Sequence, residues 1–178
     1  MPERKGIFGN LGLLFKFRQK VRTSGGVHGR GPITHVIIMD GTLSSLEPGF
    51  ETNAGLTYRL CSEAAQGANM LVRYEAGIQW RTWRDTMSVI EGRGINQQIR
   101  RVYGALASRY RPGDRIFLFG YSRGAYAVRS LSGLIDMLGL LRADQATERN
   151  IRTAYRHYQT APHTRAAQEF TKAHCHEP

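Results

Sequence analysis

The sequence predicts an α/β domain with a parallel sheet. Three observations carry that reading. Three β-rich apolar runs are present, "THVIIMDG" (Thr34–Gly41), "NMLVRYE" (Asn69–Glu75) and "DRIFLFGY" (Asp114–Tyr121). Segments with helical spacing of apolar residues lie between and after them. Turn residues such as Gly67 and Pro112-Gly113 separate the two kinds of segment. Strands alternating with helices form a parallel sheet layered with helices.

The elements follow in chain order. Residues 5–22, "KGIFGNLGLLFKFRQKVR", fit an amphipathic helix, with Ile7, Leu11, Leu14, Phe15 and Val21 near helical spacing among charged neighbours. "TSGGVHGRGP" (Thr23–Pro32) is a linker by its glycines. The first strand is followed by a loop through Pro48 and Gly49. Thr52 or Asn53 then caps a helix carrying Leu56, Leu60 and Ala64. The second strand leads to a long loop, 76–93, that holds Trp80 and Trp83. Packing of this loop onto the sheet is the plainer role for the two indoles, and an acyl pocket or lid the alternative. Ile95, Ile99, Val102, Tyr103, Leu106 and Tyr110 mark the clearest amphipathic helix. After the third strand, Val128, Leu131, Leu134, Ile135 and Leu138 mark another, closed by Gly139. Residues 147–158 and 164–174 are also helical in pattern. No strand is expected after Tyr121.

Length and composition fit one globular domain, 32–178, behind a basic leader, 1–31. Hydrophobic residues make up 41% of the chain and charged residues 22%, which excludes a disordered polypeptide. The net charge is +11, and the leader holds seven Lys/Arg against the single acid Glu3. About half of the excess charge therefore sits on a segment suited to an anionic membrane surface or another contact. Outside it the basic residues are scattered and no nucleic-acid module is present, so nucleic acid is disfavoured as a partner. The two cysteines, Cys61 and Cys175, make no disulfide framework. The apolar stretches are too short for a membrane span, and the leader lacks a signal-peptide cleavage site. A cytoplasmic protein is the expectation, with a loosely ordered basic leader the plainer reading of 1–31 and attachment to a membrane surface through it the alternative.

One motif carries chemistry. Gly120-Tyr121-Ser122-Arg123-Gly124 is a G-x-S-x-G between a strand and a helix. A nucleophile elbow needs that order, a serine at the tip, and small residues two before and two after it. Gly120 and Gly124 meet the demand. Ser122 is then the candidate nucleophile, with the backbone N–H of Arg123 as one oxyanion donor. The second donor is expected from Gly41 or Thr42, in the loop after the first strand. Rival motifs fail. "VIIMDGTL" has Ile38 where a haloacid-dehalogenase phosphatase needs its nucleophilic Asp. Asp40-Gly41-Thr42 is better read as a strand-end turn that shapes a site. There is no G-x-x-x-x-G-K-[ST] phosphate loop. His174-Cys175-His176 has donor atoms but no partner cluster, so neither a metal nor a cofactor is expected.

"RPGDRIFLFGYSRGAYAVRSLSGLI" resembles the elbow region of the bacterial domain of unknown function 2235. That domain is also the catalytic domain of one group of type VI secretion phospholipase effectors. "VIIMDGT", Thr52-Asn53, "YEAGI" (Tyr74–Ile78) and "GRGINQQIRRVYGAL" support the resemblance, which runs from about Thr34 to about Leu141. It implies an α/β-hydrolase fold, strand order 2-1-3, and serine hydrolysis of esters, with phospholipids as the effector substrates. It also admits secretion by a type VI system. The sequence departs from the family in one respect. The triad acid and His belong on loops after later strands, and neither is recognisable. The late acids are Asp136, Asp144, Glu148, Glu169 and Glu177; the late histidines are His157, His163, His174 and His176. All lie in helical or tail sequence. The expectation is the N-terminal part of a truncated hydrolase domain, with the Ser122 strand on an uncovered edge. A C-terminal complementing segment or a second copy would complete it. The alternative is a non-catalytic domain of the same fold that binds a lipid or a protein partner.

Overall fold

The fold is organised by strand β1 (Thr34–Met39), the centre of a three-stranded parallel sheet. In this computed structural model the described residues are 31–42, 44–77 and 93–176. β2 (Met70–Glu75) and β3 (Arg115–Gly120) flank β1, giving the expected order β2-β1-β3. Val36 stands opposite Val72 on one side and Phe117 on the other. β1 is buried almost throughout, as a run of β-branched residues flanked on both edges should be.

Among the described residues five α-helices clothe the sheet: α1 (Asn53–Ala64), α2 (Arg93–Ala107), α3 (Arg123–Leu138), α4 (Glu148–Thr160) and α5 (Arg165–His174). Alternation along β1 sends Ile37 and Met39 to one face and Val36 and Ile38 to the other. The first face meets Ile99, Val102, Tyr103 and Leu106 of α2 and Leu131, Leu134 and Leu138 of α3, with α4 and α5 packed behind them. This is the main core. Burial pushes the Cys175 thiol in it up to about 11, so it stays protonated at neutral pH. The second face is thinner and rests on α1.

The structure corrects the expected face of α1. Leu56 and Leu60, read as its buried stripe, are 38% and 56% exposed, and Ala64 faces solvent as well. Ala54, Tyr58 and Cys61 meet the sheet instead. Thr52 caps the helix, accepting from the Gly55 amide at 3.0 Å. Gly55 sits so close to Ser45 that a Cβ there would lie 2.9 Å from the Ser45 carbonyl oxygen. The entry of α1 is fixed by this approach and by its cap rather than by its leucines.

β3 is the sheet edge among the described residues. Ile116 and Leu118 pack on the main core, whereas Phe117 and Phe119, on the face that α1 serves farther along, are exposed. At the amino end of the sheet a buried pair ties β1 to the turn before β3. Asp114 accepts from the Ile33 amide at 2.7 Å and the Arg111 amide at 3.0 Å, and meets His35 Nε2 at 2.9 Å. The leader, Trp80 and Trp83, and Glu177 lie outside the described residues.

The burial of β1 in the main core and the exposure of the α1 leucines give a test by urea denaturation. Ile37→Ala is expected to cost about 2–5 kcal/mol and Leu60→Ala less than about 0.5 kcal/mol. A Leu60→Ala cost as large as that of Ile37→Ala would contradict the orientation of α1.

Candidate functional site

The carboxyl ends of the strands bring three segments together: Asp40-Gly41-Thr42 after β1, Ala76-Gly77 after β2 and Tyr121-Ser122 after β3. Ligands of open α/β sheets bind at this end. The approach is close enough that side chains are excluded. A Cβ on Gly77 would fall 1.6 Å from the Gly41 carbonyl oxygen, and one on Gly41 would fall 3.1 Å from Ser122 Cβ. Gly41 therefore lies directly beside Ser122.

Ser122 occupies the sharp turn between β3 and α3. Its backbone is at φ 51°, ψ −120°, and among the described residues no other non-glycine has a positive φ. A serine there carries strain of about 1–3 kcal/mol. Its side chain makes no capping bond to α3, so the hydroxyl is not used to start the helix. The Ser122 carbonyl instead accepts from Ala125 N at 3.0 Å and Tyr126 N at 3.3 Å, while Gly124 N donates to the Tyr121 carbonyl at 2.8 Å. The two glycines of the motif make the turn possible. A Cβ on Gly124 would lie 1.9 Å from the Met39 carbonyl oxygen; one on Gly120 would lie 2.5 Å from the Gly124 carbonyl oxygen.

Asp40 organises the opposite wall. Its carboxylate is buried and accepts from the Gly41 amide at 2.6 Å, from the Tyr74 hydroxyl at 2.7 Å and from the Thr52 hydroxyl. Burial, helped by the bond to Asp40, raises the Tyr74 phenol above its ordinary value, so it remains a donor. Ser44 Oγ then accepts from the Gly77 amide at 3.0 Å. Beside this network the buried Glu75 holds Arg73 on its own strand at 2.5 Å and Arg101 of α2 at 2.7 Å.

Each expected site residue can now be located. Ser122, Arg123, Gly120 and Gly124 form the strand-to-helix turn, and Gly41 and Thr42 lie in the loop against it. The Gly41 amide is already engaged by Asp40. Arg123 Nη1 is buried without a hydrogen-bond partner. Three of the four late histidines are occupied elsewhere. His174 Nδ1 meets Gln145 at 2.9 Å, the His157 ring packs on Phe170, and His176 packs on Tyr110. His163 is exposed in the turn between α4 and α5. Among the late acids Glu148 pairs with Arg152 and Glu169 with Arg165, while Asp136 and Asp144 are exposed. Asp136 lies fourteen residues beyond Ser122, roughly 21 Å along the helix rise. No acid–His pair stands beside Ser122 among the described residues. A cavity of about 290 Å³ lined by Met137, Thr171, Cys175 and His176 sits at the far end of α3. Among the described residues no cluster of three metal-binding side chains occurs, and no helix is long and apolar enough to cross a membrane.

Sequence reasoning missed the network around Asp40. Its partners are 12 and 34 residues away in the chain. The available signal was Thr52-Asn53, read as a helix cap and as a family match but not as a partner of Asp40.

Comparison with known proteins gives one family and one relative. The family described as "T6SS, Phospholipase effector Tle1-like, catalytic domain" matches residues 34–177. The "Uncharacterized protein YEL023C" of Saccharomyces cerevisiae is 27% identical over 164 residues, covering 80% of this chain and 24% of that protein. The chain thus spans about a quarter of the length of this curated relative. No solved structure matches.

The site's energetics are testable by urea denaturation. Ser122→Gly is expected to raise stability by about 1 kcal/mol, because glycine tolerates the positive φ. Asp40→Ala strands three donors and is expected to cost about 3 kcal/mol, against about 1 kcal/mol for Tyr74→Phe. Equal costs for Asp40→Ala and Tyr74→Phe would contradict the network.

Proposed function

Because this chain belongs to the type VI secretion Tle1-like phospholipase effector catalytic-domain family, we propose that it is a serine hydrolase of lipid esters with Ser122 as nucleophile. The observation that carries the proposal is the backbone of Ser122, held at φ 51° between β3 and α3 with its hydroxyl free of capping. Strain of this kind persists where the surroundings enforce it, and it is concentrated at reactive positions. In the reaction the Ser122 oxygen attacks the ester carbonyl carbon, and the carbonyl oxygen takes up the negative charge. The backbone N–H groups of Arg123 and Thr42 receive that oxyanion. Collapse expels the alcohol and leaves an acyl-serine, which water then hydrolyses. The family description also supports delivery by a type VI system, which we propose for this chain on that ground alone.

The proton of Ser122 needs a base, and among the late histidines His157, His174 and His176 are engaged in other contacts while His163 is exposed between α4 and α5. A further polypeptide segment that pairs along the bare β3 edge, covering Phe117 and Phe119, would bring an acid and a His to the open side of Ser122. The lack of a nearby acid–His pair among the described residues also favours a second reading, a non-catalytic domain of the same fold that binds lipid or protein. Without a base, any residual catalysis is orders of magnitude below that of an intact triad.

Labelling by a fluorophosphonate probe separates the two. The hydrolase reading expects covalent labelling that disappears in Ser122→Ala. A folded chain that resists the probe would leave the binding reading in its place.

A further inference from the structure

Residues 45–52 form a closed loop at the same end of the sheet as Ser122. Thr52 N meets the Ser45 carbonyl at 3.4 Å across its base, and Phe50 N donates to the Glu47 carbonyl at 2.9 Å across its tip. Pro48-Gly49, with Gly49 at φ 85°, is the turn between them. Glu51 accepts from the Gly49 amide at 2.7 Å and from Arg59 of α1 at 2.5 Å. The loop is stitched at every stage, yet it holds two apolar side chains out in solvent. Phe50 is 77% exposed and Leu46 45%. Tyr121, next to Ser122, and Tyr126, one turn into α3, are exposed as well. The loop is joined to the site through Thr52, whose hydroxyl donates to Asp40.

We propose that the tip of this loop, Leu46 and Phe50, seats in a zwitterionic phospholipid surface and so presents Ser122 to lipid at that surface. The choice of occupant rests on the lipid-ester reading above. Two further observations support it. A stable protein interface buries about 800 Å² on each side, far more than two side chains at a turn supply, whereas a bilayer needs no matching surface. Of the loop's two acids Glu51 is paired with Arg59, which leaves the charge of Glu47; this disfavours an anionic surface and leaves a zwitterionic one.

The test is co-sedimentation of the full 178-residue chain with phosphatidylcholine vesicles. Salt at about 0.15 M screens the basic leader. The Leu46→Asp/Phe50→Asp double variant is expected to reduce the bound fraction about tenfold, and Phe50→Trp to retain it. An unchanged thermal melt by circular dichroism establishes that the double variant is folded. Ser122 labelling by a soluble fluorophosphonate is expected to be equal in wild type and variant. Wild-type protein that ignores the vesicles overturns the proposal, and so does a double variant that binds them as well as wild type. Loss of the hydrolase reading looks different: neither protein labels, whatever the vesicles show.

Discussion

The buried carboxylate of Asp40 is the constraint on which the carboxyl end of this sheet depends. A carboxylate removed from water must collect donors, because an unpaired buried charge costs several kcal/mol. Asp40 collects them from its own strand end, from the cap of α1 and from β2. Thr52 serves twice, donating to Asp40 and accepting from the Gly55 amide that opens α1. One side chain thereby fixes the loop after β1, the start of α1 and the end of β2. The Gly41 backbone that lies against Ser122 takes its position from this arrangement.

The Ser122 turn is held from the other side. Strain at φ 51° is not self-supporting; it requires a helix and a strand that cannot move to relieve it. α3 supplies the first through Leu131, Leu134 and Leu138, all buried in the main core. Gly124, pressed against the Met39 carbonyl, supplies the second contact. The hydrophobic energy of a long amphipathic helix thus offsets the cost of one serine's backbone.

Legibility of the sequence followed the range of the interactions. The strands and the helices α2 and α3 were readable, because burial by a large core imposes a periodic signal over many residues, whereas the strand order came only from the family resemblance. The glycines around Ser122 were readable because their spacing is local. The face of α1 was not. Its leucines dominate the pattern, but the thin second layer selects the smaller Ala54, Tyr58 and Cys61, and the cap and Gly55 fix the entry. The Asp40 network was invisible because its donors are far apart in the chain and each has an ordinary local role. Asp40 reads as a turn residue, Thr52 as a cap and Tyr74 as a strand residue. The engagement of the Gly41 amide follows from the same network, and so no local pattern could choose between Gly41 and Thr42.

The apolar tip of the 45–52 loop belongs to the same construction. Leu46 already touches the start of α1 at Gly55, but Phe50, left flexible, would collapse onto the helix as well, since burying it would gain about 1.5–3 kcal/mol. The hydrogen bonds across the loop and the Glu51–Arg59 pair oppose that collapse. The ordering entropy of the loop is met when the chain folds, so an apolar surface that receives the tip does not have to supply it again. The tip and Ser122 are also linked by a short path, Phe50 to Thr52 to Asp40 to Gly41. A rigid path of this kind fixes the tip relative to the serine, so seating the tip would also set the orientation of Ser122.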